Sequence, residues 1–400
     1  MEPPPRIVTL VLVTPDGRLV GSLPPFVVDV PWWQEAGPVV RGAREHHGVD
    51  VTVLRLLDSE LPMPHGGRVT YLAEVAEPVA AAPWAGSLDD HPLRARWARP
   101  GGPATDLAWA DEMLAARGMR RGGPAEQVRS WNLSSLWRLP LDGGSAWLKA
   151  VPPFFAHEGP ILERLAGAPV PAVLAQHDGR ILMPEIPGDD LYDAALPRLL
   201  EMVGVLVELQ RAWIGRTDEL GAIGLPDWRG PSLAPMIASV VERTATELKD
   251  EDRHTLTAFV EGLDARFAAV AACGLPDTLV HGDFHPGNTR GTEATLVLLD
   301  WGDCGIGHPL LDEPAFLDRI PVAAVSLVRE QWHAAWHSAL PGSDPGRASS
   351  LLAPVAAARQ AVIYRAFLDG IEPSEHPYHR ADPADWLRRT AALLRSGPGE

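Results

Sequence analysis

The sequence contains few cysteines, no excess of basic residues and no long apolar run. Its two cysteines, Cys273 and Cys304, are too few for a disulfide framework or a structural zinc site. The net charge of −17 argues against nucleic acid or an anionic membrane surface as a partner, because both need basic patches. No apolar stretch reaches the roughly 20 residues that cross a bilayer. These absences predict a reduced, cytoplasmic protein with no nucleic-acid or membrane partner.

The remaining composition is that of a soluble globular protein. Hydrophobic residues make up 46% and charged residues 22% of the 400 residues, and this length favours more than one domain. The acidic balance is compatible with a cationic small molecule as ligand, and it is equally the ordinary state of many soluble proteins. Composition therefore limits the partners without choosing a function.

The first part of the chain is predicted to form a small α+β domain. RIVTLVLVTPDGRLVGS indicates two strands joined by a Pro-Asp-Gly turn, and VTVLRLL and RVTYLAEV indicate two more strands. Between them, AGPVVRGAREHHGVD predicts a helix with Pro38 near its start and Gly48 at its end. We expect these elements to pack as one unit of mixed helix and sheet.

The helix and its exit, RGAREHHGVDVTVLRLL, resemble the second half of a Nudix box. The matching positions are Arg41, Ala43, Glu45, Gly48 and Val49. The departures are Gly42 and His46 in place of glutamates, and Trp33 and Val27 in place of an upstream glutamate and glycine. A Nudix hydrolase holds its divalent metal with several carboxylates on one helix face, and Glu45 alone remains here. The resemblance therefore implies a degenerate Nudix-like fold without the activity; an unrelated α+β domain is the alternative.

After the first domain the sequence changes from strand-like to helical patterns. Residues 78–104 are rich in Pro, Ala and Gly, which indicates a linker, and ATDLAWADEMLAARG has a helical period. EQVRSWNLSSLWRLPL with SAWLKAVP, and AVLAQ with RILMPEI, predict two hairpins, and long amphipathic helices follow. The predicted divisions are 1–95 for the first domain, 96–120 for a linker and helix, 121–187 for a β-rich lobe and 188–400 for a helical lobe. The last two have the layout of a two-lobed kinase.

The stretch LVHGDFHPGNTR concentrates polar residues behind an apolar strand. Asp283 and Asn288 stand five positions apart, with His281 before the aspartate, as in the catalytic loop of protein kinases. The triplet DWG at 300–302 follows the apolar run LVLL, where a kinase places a second metal ligand. Alone, the first motif could equally be a polar turn, or His281 and His285 could bind a transition metal. The second motif at this spacing favours phosphoryl transfer.

HGDFHPGN followed by LLDWGDCGIGHPLLD resembles the signature of the aminoglycoside phosphotransferase family, which are small-molecule kinases with a protein-kinase-like fold. The resemblance covers residues 121–400. It implies an α+β, two-lobed fold, with a β-rich N-lobe and a helical C-lobe after the Nudix-like domain. It also implies ATP and Mg²⁺ as cofactors, and the hydroxyl group of a small molecule as the phosphate acceptor.

The family's principal roles fall on five residues of this sequence. Asp283 resembles the catalytic base that takes the proton of the substrate hydroxyl. Asn288 and Asp300 resemble the ligands of two Mg²⁺ ions, which prefer oxygen donors. Lys149, in AWLKAV, lies where a strand-borne lysine reaches the α- and β-phosphates, and Glu158 is placed to pair with it. An unpaired lysine in the middle of an apolar strand would be costly, which supports that pairing.

Supporting roles follow from the same resemblance. Residues 183–186, which include Met183, Glu185 and Ile186, resemble the hinge whose main chain binds adenine. His281 is expected to brace the catalytic loop, and His285 to pack beneath it. Asp303 is either a third acidic helper or a turn residue.

The predicted nucleotide-covering loop, WNLSSLWRL, contains no glycine. Protein kinases place G-x-G-x-x-G there so that the main chain can approach the phosphates. Asn132, Ser134 and Ser135 could donate hydrogen bonds instead. The short segment after Asp300 has no A-P-E triplet and little room for an activation segment, which disfavours a protein substrate.

The acceptor is predicted to be an aminoglycoside-like antibiotic or a related metabolite. Candidate carboxylates for an acceptor site are Asp189, Asp190, Asp193, Asp312, Glu313, Glu372 and Glu375. Each of them is equally compatible with a solvated surface charge. The alternative function is a non-catalytic kinase-like protein that binds a nucleotide or another ligand. The Nudix-like domain is a candidate for forming a homodimer or for gating the substrate.

Overall fold

The computed structural model describes residues 3–397 of the chain. Its Cα positions form two compact units. The first, here called the β-rich unit, comprises residues up to Gly159 together with Val173–Glu185 and Ala366–Arg380. The second, here called the helical unit, comprises Pro160–Ala172, Ile186–Arg365 and the residues from Ala381 onward.

The β-rich unit begins with a mixed sheet. Its strands are β1 (Arg6–Val13), β2 (Leu19–Ser22), β3 (Phe26–Val28), β4 (Thr52–Ser59) and β5 (Gly67–Glu74), ordered β2-β1-β5-β4 with β3 also on β1. β1 runs parallel to β5 and antiparallel to β2 and β3. Leu10 and Leu12 pack in one core, while Val11 and Val13 pack in another. Both faces of β1 are therefore covered, which explains its unbroken apolar sequence.

Helix α1 (Ala36–His47) lies against β3 and β4 and ends at Gly48, whose φ of 66° is left-handed. A Cβ atom on Gly42 would lie 2.5 Å from the Phe26 ring. A glutamate at this position would therefore need the ring to move. Glu45 is exposed on the same helix.

The second sheet follows helix α2 (Gly102–Ala115). Its strands are β6 (Glu126–Ser130), β7 (Ser135–Leu141), β8 (Gly144–Ala150), β9 (Ala175–His177) and β10 (Arg180–Pro184), ordered β6-β7-β8-β10-β9. EQVRSWNLSSLWRLPL, predicted as one arm of a hairpin, forms two strands, β6 and β7. The β9–β10 hairpin is as predicted, with positive φ at Asp178 and Gly179, as a type I′ turn requires.

Side-chain hydrogen bonds join the two sheets within the β-rich unit. The carboxamide of Gln127 on β6 accepts from the Val53 N–H at 2.8 Å and donates to the Val53 carbonyl at 2.7 Å. This pair reproduces a strand-like contact between β6 and β4. The first 95 residues thus share one compact unit with the second sheet, and the predicted domain boundaries stay a prediction.

The helical unit is built mainly of helices, with fewer residues in strands than in helices. Its elements are β11 (Asp189–Asp190), α4 (Leu196–Ala212), α5 (Thr217–Ala222), α6 (Gly230–Thr244), α7 (Asp250–Glu261), α8 (Leu263–Ala271), β12 (Thr278–Val280), β13 (Thr289–Gly291), β14 (Leu296–Leu298), β15 (Gly305–Gly307), α9 (Glu313–Leu317), α10 (Val322–Ala339) and α12 (Asp382–Ser396). Helices α3 (Glu158–Arg164) and α11 (Pro345–Gly370) each begin in one unit and end in the other. The stretch HTLTAFVEGLDARFAAVAA, predicted as one helix, divides into α7 and α8 at Gly262.

Two small antiparallel sheets in the helical unit position the polar motifs. β12 pairs with β15, and β13 pairs with both β11 and β14. The loop that follows β12 carries HGDFHPGN, and the turn that follows β14 carries DWGDC. The first motif therefore ends where β13 begins, beside the end of β14 from which the second motif starts.

Helix α11 is the single described helix that is long and apolar enough to cross a membrane, judged by length and composition alone. Its most apolar window has a mean hydropathy of 1.2, and 61% of that window is buried. The buried core helix of a soluble protein meets the same criteria, so this finding is weak support for a membrane span.

Candidate active site

A buried carboxylate fixes the main chain at the start of the catalytic loop. Asp312 Oδ2 accepts from the His281 N–H at 2.9 Å, and Oδ1 accepts from the Gly282 N–H at 2.8 Å. Gly282 has a φ of 93°, and a Cβ atom there would lie 1.9 Å from the Asp303 main-chain oxygen. Only glycine fits this close approach without strain.

His281 lies beneath the loop as a buried brace. Its Nε2 is 2.9 Å from the Leu299 main-chain oxygen, and its ring lies 4.5 Å from the Trp301 indole. Burial lowers the pKa of His281, and the nearby Asp312 only partly opposes that shift. Trp301 is itself buried and donates its indole N–H to the Leu298 carbonyl at 2.9 Å. His281, which belongs to the first motif, therefore also contacts the main chain and the tryptophan of the second motif.

Asp283 presents its carboxylate at the edge of the loop, with a 31% exposed side chain. Asn288 Nδ2 donates to the Asp283 carbonyl at 2.9 Å and to Oδ2 at 3.1 Å. His285 Nε2 lies 3.4 Å from Oδ2, and Arg319 Nη2 lies 3.8 Å from Oδ1. Burial alone would raise the pKa of Asp283, but His285, Arg319 and His281 outweigh it and lower that pKa to about 2. The carboxylate is therefore ionised at neutral pH.

His285 is oriented by the main chain of its own turn. Its Nδ1 accepts a hydrogen bond from the Gly287 N–H at 3.0 Å, which leaves Nε2 to carry the proton. That Nε2 faces the Asp283 carboxylate. The prediction that His285 packs beneath the loop did not include this contact with the Asp283 carboxylate.

Asn288 and Asp300 occupy adjacent strand ends. The Leu299 N–H donates to the Asn288 carbonyl at 2.8 Å, which brings the residue before Asp300 alongside Asn288. Asp300 has a φ of 60°, a left-handed conformation that is uncommon outside glycine. Because Asn288 uses Nδ2 to hold Asp283, its Oδ1 is left for another partner. An amide oxygen and a carboxylate side by side are oxygen donors of the kind that Mg²⁺ accepts.

No group of three or more His, Cys, Asp or Glu side chains within residues 3–397 forms a metal site by itself. Asp303, the other acidic candidate, is positioned by its main chain against Gly282.

A cavity of about 180 Å³ opens beside Asp283 within the helical unit. Its charged lining residues are Asp283, Glu313, Asp318, Arg319, Arg329 and Arg389, and Tyr364 and Trp386 add aromatic walls. Glu313 is buried, with Oε1 3.0 Å from His333 Nε2 and 3.6 Å from Arg329 Nε. The cavity is therefore lined by equal numbers of arginine and carboxylate side chains, three of each.

Most of the seven candidate acceptor carboxylates lie outside the cavity beside Asp283, and their role stays a prediction. Asp312 is fully buried and holds the loop main chain, while Glu372 and Glu375 belong to the β-rich unit. Of the seven candidates, only Glu313 lines the cavity beside Asp283. The three exposed candidates are Asp189, Asp190 and Asp193. Asp190 pairs with Arg290 at 2.8 Å.

In the β-rich unit, Lys149 and Glu158 form the predicted pair. Lys149 Nζ lies 2.6 Å from Glu158 Oε1, and the two side chains are 15% and 3% exposed. Lys149 lies on β8, whose neighbours β7 and β10 place Leu136 and Ile181 opposite it. A buried pair of this geometry fixes the lysine more firmly than an exposed pair would. The chain contains one further lysine, Lys249.

Two tryptophans of the glycine-free loop donate hydrogen bonds to its serines. The Trp131 N–H donates to the Ser134 carbonyl, and its indole Nε1 donates to Ser134 Oγ, each at 3.1 Å. Ser135 is buried, and its Oγ accepts from Trp137 Nε1 at 3.0 Å. Asn132 is also buried, with Oδ1 2.9 Å from His379 Nε2. The side chains of Ser135 and Asn132 are thus buried and hydrogen-bonded within the protein, and their contact with a nucleotide stays a prediction.

The predicted hinge, residues 183–186, begins in the last two residues of β10. The Glu185 N–H donates to the Ser145 carbonyl at 3.0 Å, and the Glu185 carboxylate accepts from Trp147 Nε1 at 3.0 Å. Met183 is paired with Trp147 in the sheet, and the Ile186 carbonyl accepts from Arg290 Nε at 2.9 Å. The Glu185 N–H is thus already used, so an adenine would need other main-chain groups of this segment.

Comparison with known proteins agrees with the motifs HGDFHPGN and DWGDC. The sequence profile of the phosphotransferase enzyme family matches residues 137–351, which is more than half of the chain. The chain belongs to the phosphotransferase enzyme family. No curated protein sequence matches it.

Solved phosphotransferase structures resemble this one in fold. Macrolide 2'-phosphotransferase MphH from Brachybacterium faecium has a TM-score of 0.50 and 19% sequence identity, over 74% of this chain and 99% of that one. The GDP complex of aminoglycoside 2'-phosphotransferase-IIIa has a TM-score of 0.51 and 15% identity, over 73% of this chain and 97% of that one. These likenesses confirm the predicted α+β phosphotransferase fold and concern the fold alone.

Several residues of this phosphotransferase were missed by sequence reasoning. Asp312 was quoted in its motif but not as a loop brace, and Arg319 and Arg359 were not considered. Arg359 is buried in α11 and donates through Nη2 to the Gly282 carbonyl at 2.6 Å. A charged residue inside the apolar run LLAPVAAARQAVIY is a usable signal, because a buried charge needs a partner.

Proposed function

We propose that this phosphotransferase transfers the γ-phosphate of ATP to a hydroxyl group of a small molecule. The observation that carries the proposal is the Asp283 carboxylate, which is ionised and held by Asn288 beside an open cavity. A hydroxyl bound there can give its proton to Asp283 while its oxygen forms a bond to phosphorus. The bond from phosphorus to the ADP oxygen breaks in the same transfer.

The donor set of Asn288 and Asp300 fits Mg²⁺. When bound, the ion would neutralise charge on the phosphates. Asn288 then has two functions, since its Nδ2 orients Asp283 and its Oδ1 is left for the ion. His285 and Arg319 keep Asp283 charged and fix its two oxygens.

We assign nucleotide binding to Lys149, held by Glu158. Because Glu158 already holds the ammonium group in place, pairing with the α- and β-phosphates costs little further side-chain entropy. The related aminoglycoside 2'-phosphotransferase-IIIa was solved with GDP, so guanine and adenine nucleotides both belong in the test. We propose ATP as the donor.

The charges around the cavity bear on the acceptor. Arg319, Arg329 and Arg389 line it together with Glu313 and Asp318. Arg389 pairs with Asp318 at 2.5 Å, so few carboxylates are left to meet several ammonium groups. We therefore favour a neutral or anionic hydroxylated compound over a polycationic aminoglycoside. Its apolar part would lie against Leu317, Trp386 and the neighbouring alanines.

The decisive experiment measures release of ADP from Mg-ATP and of GDP from Mg-GTP across neutral, anionic and cationic hydroxylated compounds. Turnover with one compound, lost in Asp283→Asn and retained in Asp252→Asn, would support the proposal. Asp252 is a suitable control because it is also an aspartate paired with an arginine, with Oδ1 2.8 Å from Arg395 Nη1, and it does not line the cavity beside Asp283. Turnover that survives Asp283→Asn would contradict the assignment of the base.

A second candidate function is a non-catalytic kinase-like binding protein. The observation that favours it is the glycine-free loop, in which Asn132 and Ser135 are buried. Mg-ATP should raise the Tm of the wild-type protein under both functions, and less so for Asp300→Ala. ADP release separates them, because a binding protein would show the Tm shift without turnover on any compound.

We further propose that residues 1–95 form a degenerate Nudix-like domain without hydrolase activity. Gly42, against the Phe26 ring, leaves no room for a second glutamate beside Glu45. Trp32 and Val27 are exposed on this domain, which supports a role in homodimer formation. Light scattering of Trp32→Ser against wild type tests this role; an unchanged mass would contradict it. We place the protein in the cytoplasm.

A further inference from the structure

A second cavity, of about 270 Å³, lies wholly within the β-rich unit. Its walls come from β4, from residues 92–98, from residues 151–156 after β8 and from residues 370–375. Lys149, Glu158 and Met183 are not among its lining residues, and Asn132 of the glycine-free loop is at its edge. The cavity is thus distinct from the groups assigned to nucleotide binding.

Arg55 on β4 is the unusual group of this cavity. It is 3% exposed, and its Nε lies 3.4 Å from Glu372 Oε1. Its one hydrogen bond to another residue of the described chain runs from Nη1 to the Ala98 carbonyl at 3.5 Å. A guanidinium has five N–H donors, and contacts at this distance are weak. Burial lowers the pKa of Arg55, although Glu372 opposes that shift.

The carboxyl groups around Arg55 are largely used elsewhere. Glu372 accepts from Arg94, with Nε 3.0 Å from Oε1 and Nη2 2.8 Å from Oε2. Glu375 is 3% exposed, and its Oε1 accepts from the Leu56 N–H at 2.8 Å. Burial raises the pKa of Glu375 to about 7. Glu372 is therefore shared between Arg94 and Arg55, and its contact with Arg55 is the longer of the two.

The other charged side chains of the cavity are already matched. Arg96 pairs with Asp106 at 2.7 Å and with Asp178 at 3.3 Å. Asp90, which pairs with Arg94 at 3.4 Å, is largely exposed to solvent. The charged group of this cavity with the longest contacts is therefore Arg55. A buried cation with unmet donors is costly unless an anion reaches it.

The rest of the lining is mostly apolar. The apolar wall residues include Pro92, Leu93, Trp97, Trp131, Val151 and Ile371. Two indole rings and aliphatic side chains favour the apolar body of a ligand. The volume is at the lower end of ligand pockets, which fits a small metabolite.

We propose that this cavity binds a small monocarboxylate with an apolar body. Its carboxylate pairs with the Arg55 guanidinium, whose planar fork matches two carboxylate oxygens. The apolar body lies against Trp97 and Trp131. This site is separate from phosphoryl transfer and does not depend on the proposed function.

The test is titration calorimetry on the full-length protein with benzoate and phenylacetate. Each acid is compared with its amide, which has nearly the same shape and no charge. We expect the acids to bind at least about tenfold more tightly than the amides, because only they form the charge-assisted pair. Equal binding of acid and amide, or no binding of either acid, would overturn the proposal. So would binding of inorganic phosphate in place of the carboxylates.

Variants locate the site. Arg55→Gln should weaken benzoate binding at least about tenfold, while Arg68→Gln, an exposed arginine on β5, should leave it unchanged. Because Arg55→Gln also removes a partner of Glu372, a second variant avoids the ion pairs. Ala156 is exposed and lines the cavity, so Ala156→Phe should fill it and abolish binding in a folded protein. Benzoate binding unchanged in Ala156→Phe would place the ligand elsewhere and overturn the proposal.

Discussion

Asp312 Oδ1 accepts a hydrogen bond from the Gly282 N–H at 2.8 Å, from a position 30 residues further along the chain. Its other oxygen, Oδ2, accepts from the His281 N–H and from Gln210 Nε2, each at 2.9 Å. Burial raises the pKa of Asp312, while His281, Arg359 and the loop N–H groups oppose that shift. One buried side chain thus sets the path of the main chain immediately before Asp283.

Asp312→Asn should damage both stability and turnover. A carboxamide offers one acceptor oxygen in place of two and sets an NH₂ group against a donor. We expect the free energy of unfolding to fall by about 2 kcal/mol, and kcat to fall at least about tenfold with little change in the KM for ATP. Denaturant unfolding and steady-state kinetics measure both quantities.

The matched control for Asp312 is Asp252→Asn, which removes a charge from another buried aspartate of the helical unit. It should lower the free energy of unfolding and leave kcat unchanged. If both variants lose kcat equally, Asp312 acts through general stability alone and does not position the loop.

Lys149→Met should impair nucleotide use much more than Lys249→Met. The first removes the partner of the buried Glu158, whereas Lys249 is exposed before α7. We expect kcat/KM for ATP to fall at least about 100-fold in Lys149→Met, and to change little in Lys249→Met. The two lysines also allow a direct readout by mass spectrometry. Bound nucleotide should protect Lys149 from acetylation and leave Lys249 reactive; equal protection would contradict the assignment.

The two nitrogens of His285 can be separated by substitution. His285→Gln can still place an N–H near Asp283 Oδ2, whereas His285→Asn can still accept from the Gly287 N–H. If the contact with Asp283 matters, kcat should fall about three- to tenfold in the asparagine variant and less in the glutamine variant. Steady-state kinetics with saturating ATP decides this. The opposite order would show that the turn, not the carboxylate contact, is the important feature.

Sequence reasoning located the catalytic candidates because they are close together in the chain. Asp283 and Asn288 share one loop, and Asp300 follows the next hairpin, so their spacing alone brings them together. Lys149 and Glu158 are likewise nine residues apart, on a strand and the helix after it. Short separations of this kind can be interpreted without knowing the tertiary structure.

The contacts that sequence reasoning missed join distant parts of the chain. Glu375 accepts from the Leu56 N–H across 319 residues, and no local pattern in PSEHPY predicts that partner. Glu372 meets Arg94 across 278 residues for the same reason. The division of the helix at Gly262 could have been predicted from the sequence, because glycine in a helix interior is unfavourable.

Glu375 makes the stability of the β-rich unit depend on pH. Burial raises its pKa from an ordinary 4.5 to about 7, while the Leu56 N–H, Arg55 and Asn132 oppose the shift and Glu372 adds to it. The folded protein therefore binds this proton more tightly than the unfolded chain does. Its contribution to stability is fully present below pH 4.5 and is lost as the pH rises through about 7.

Glu375→Gln should remove this pH dependence while its carboxamide oxygen still accepts from the Leu56 N–H. Near pH 4.5 the variant and the wild type should have similar free energies of unfolding, and above pH 7 the variant should be more stable, by up to about 3 kcal/mol. Denaturant unfolding between pH 4.5 and 8.5 measures the difference. Glu372→Gln is the control, because it breaks the pair with Arg94 and should destabilise the protein at neutral pH. A difference between Glu375→Gln and wild type that does not change with pH would show that Glu375 does not titrate in this range.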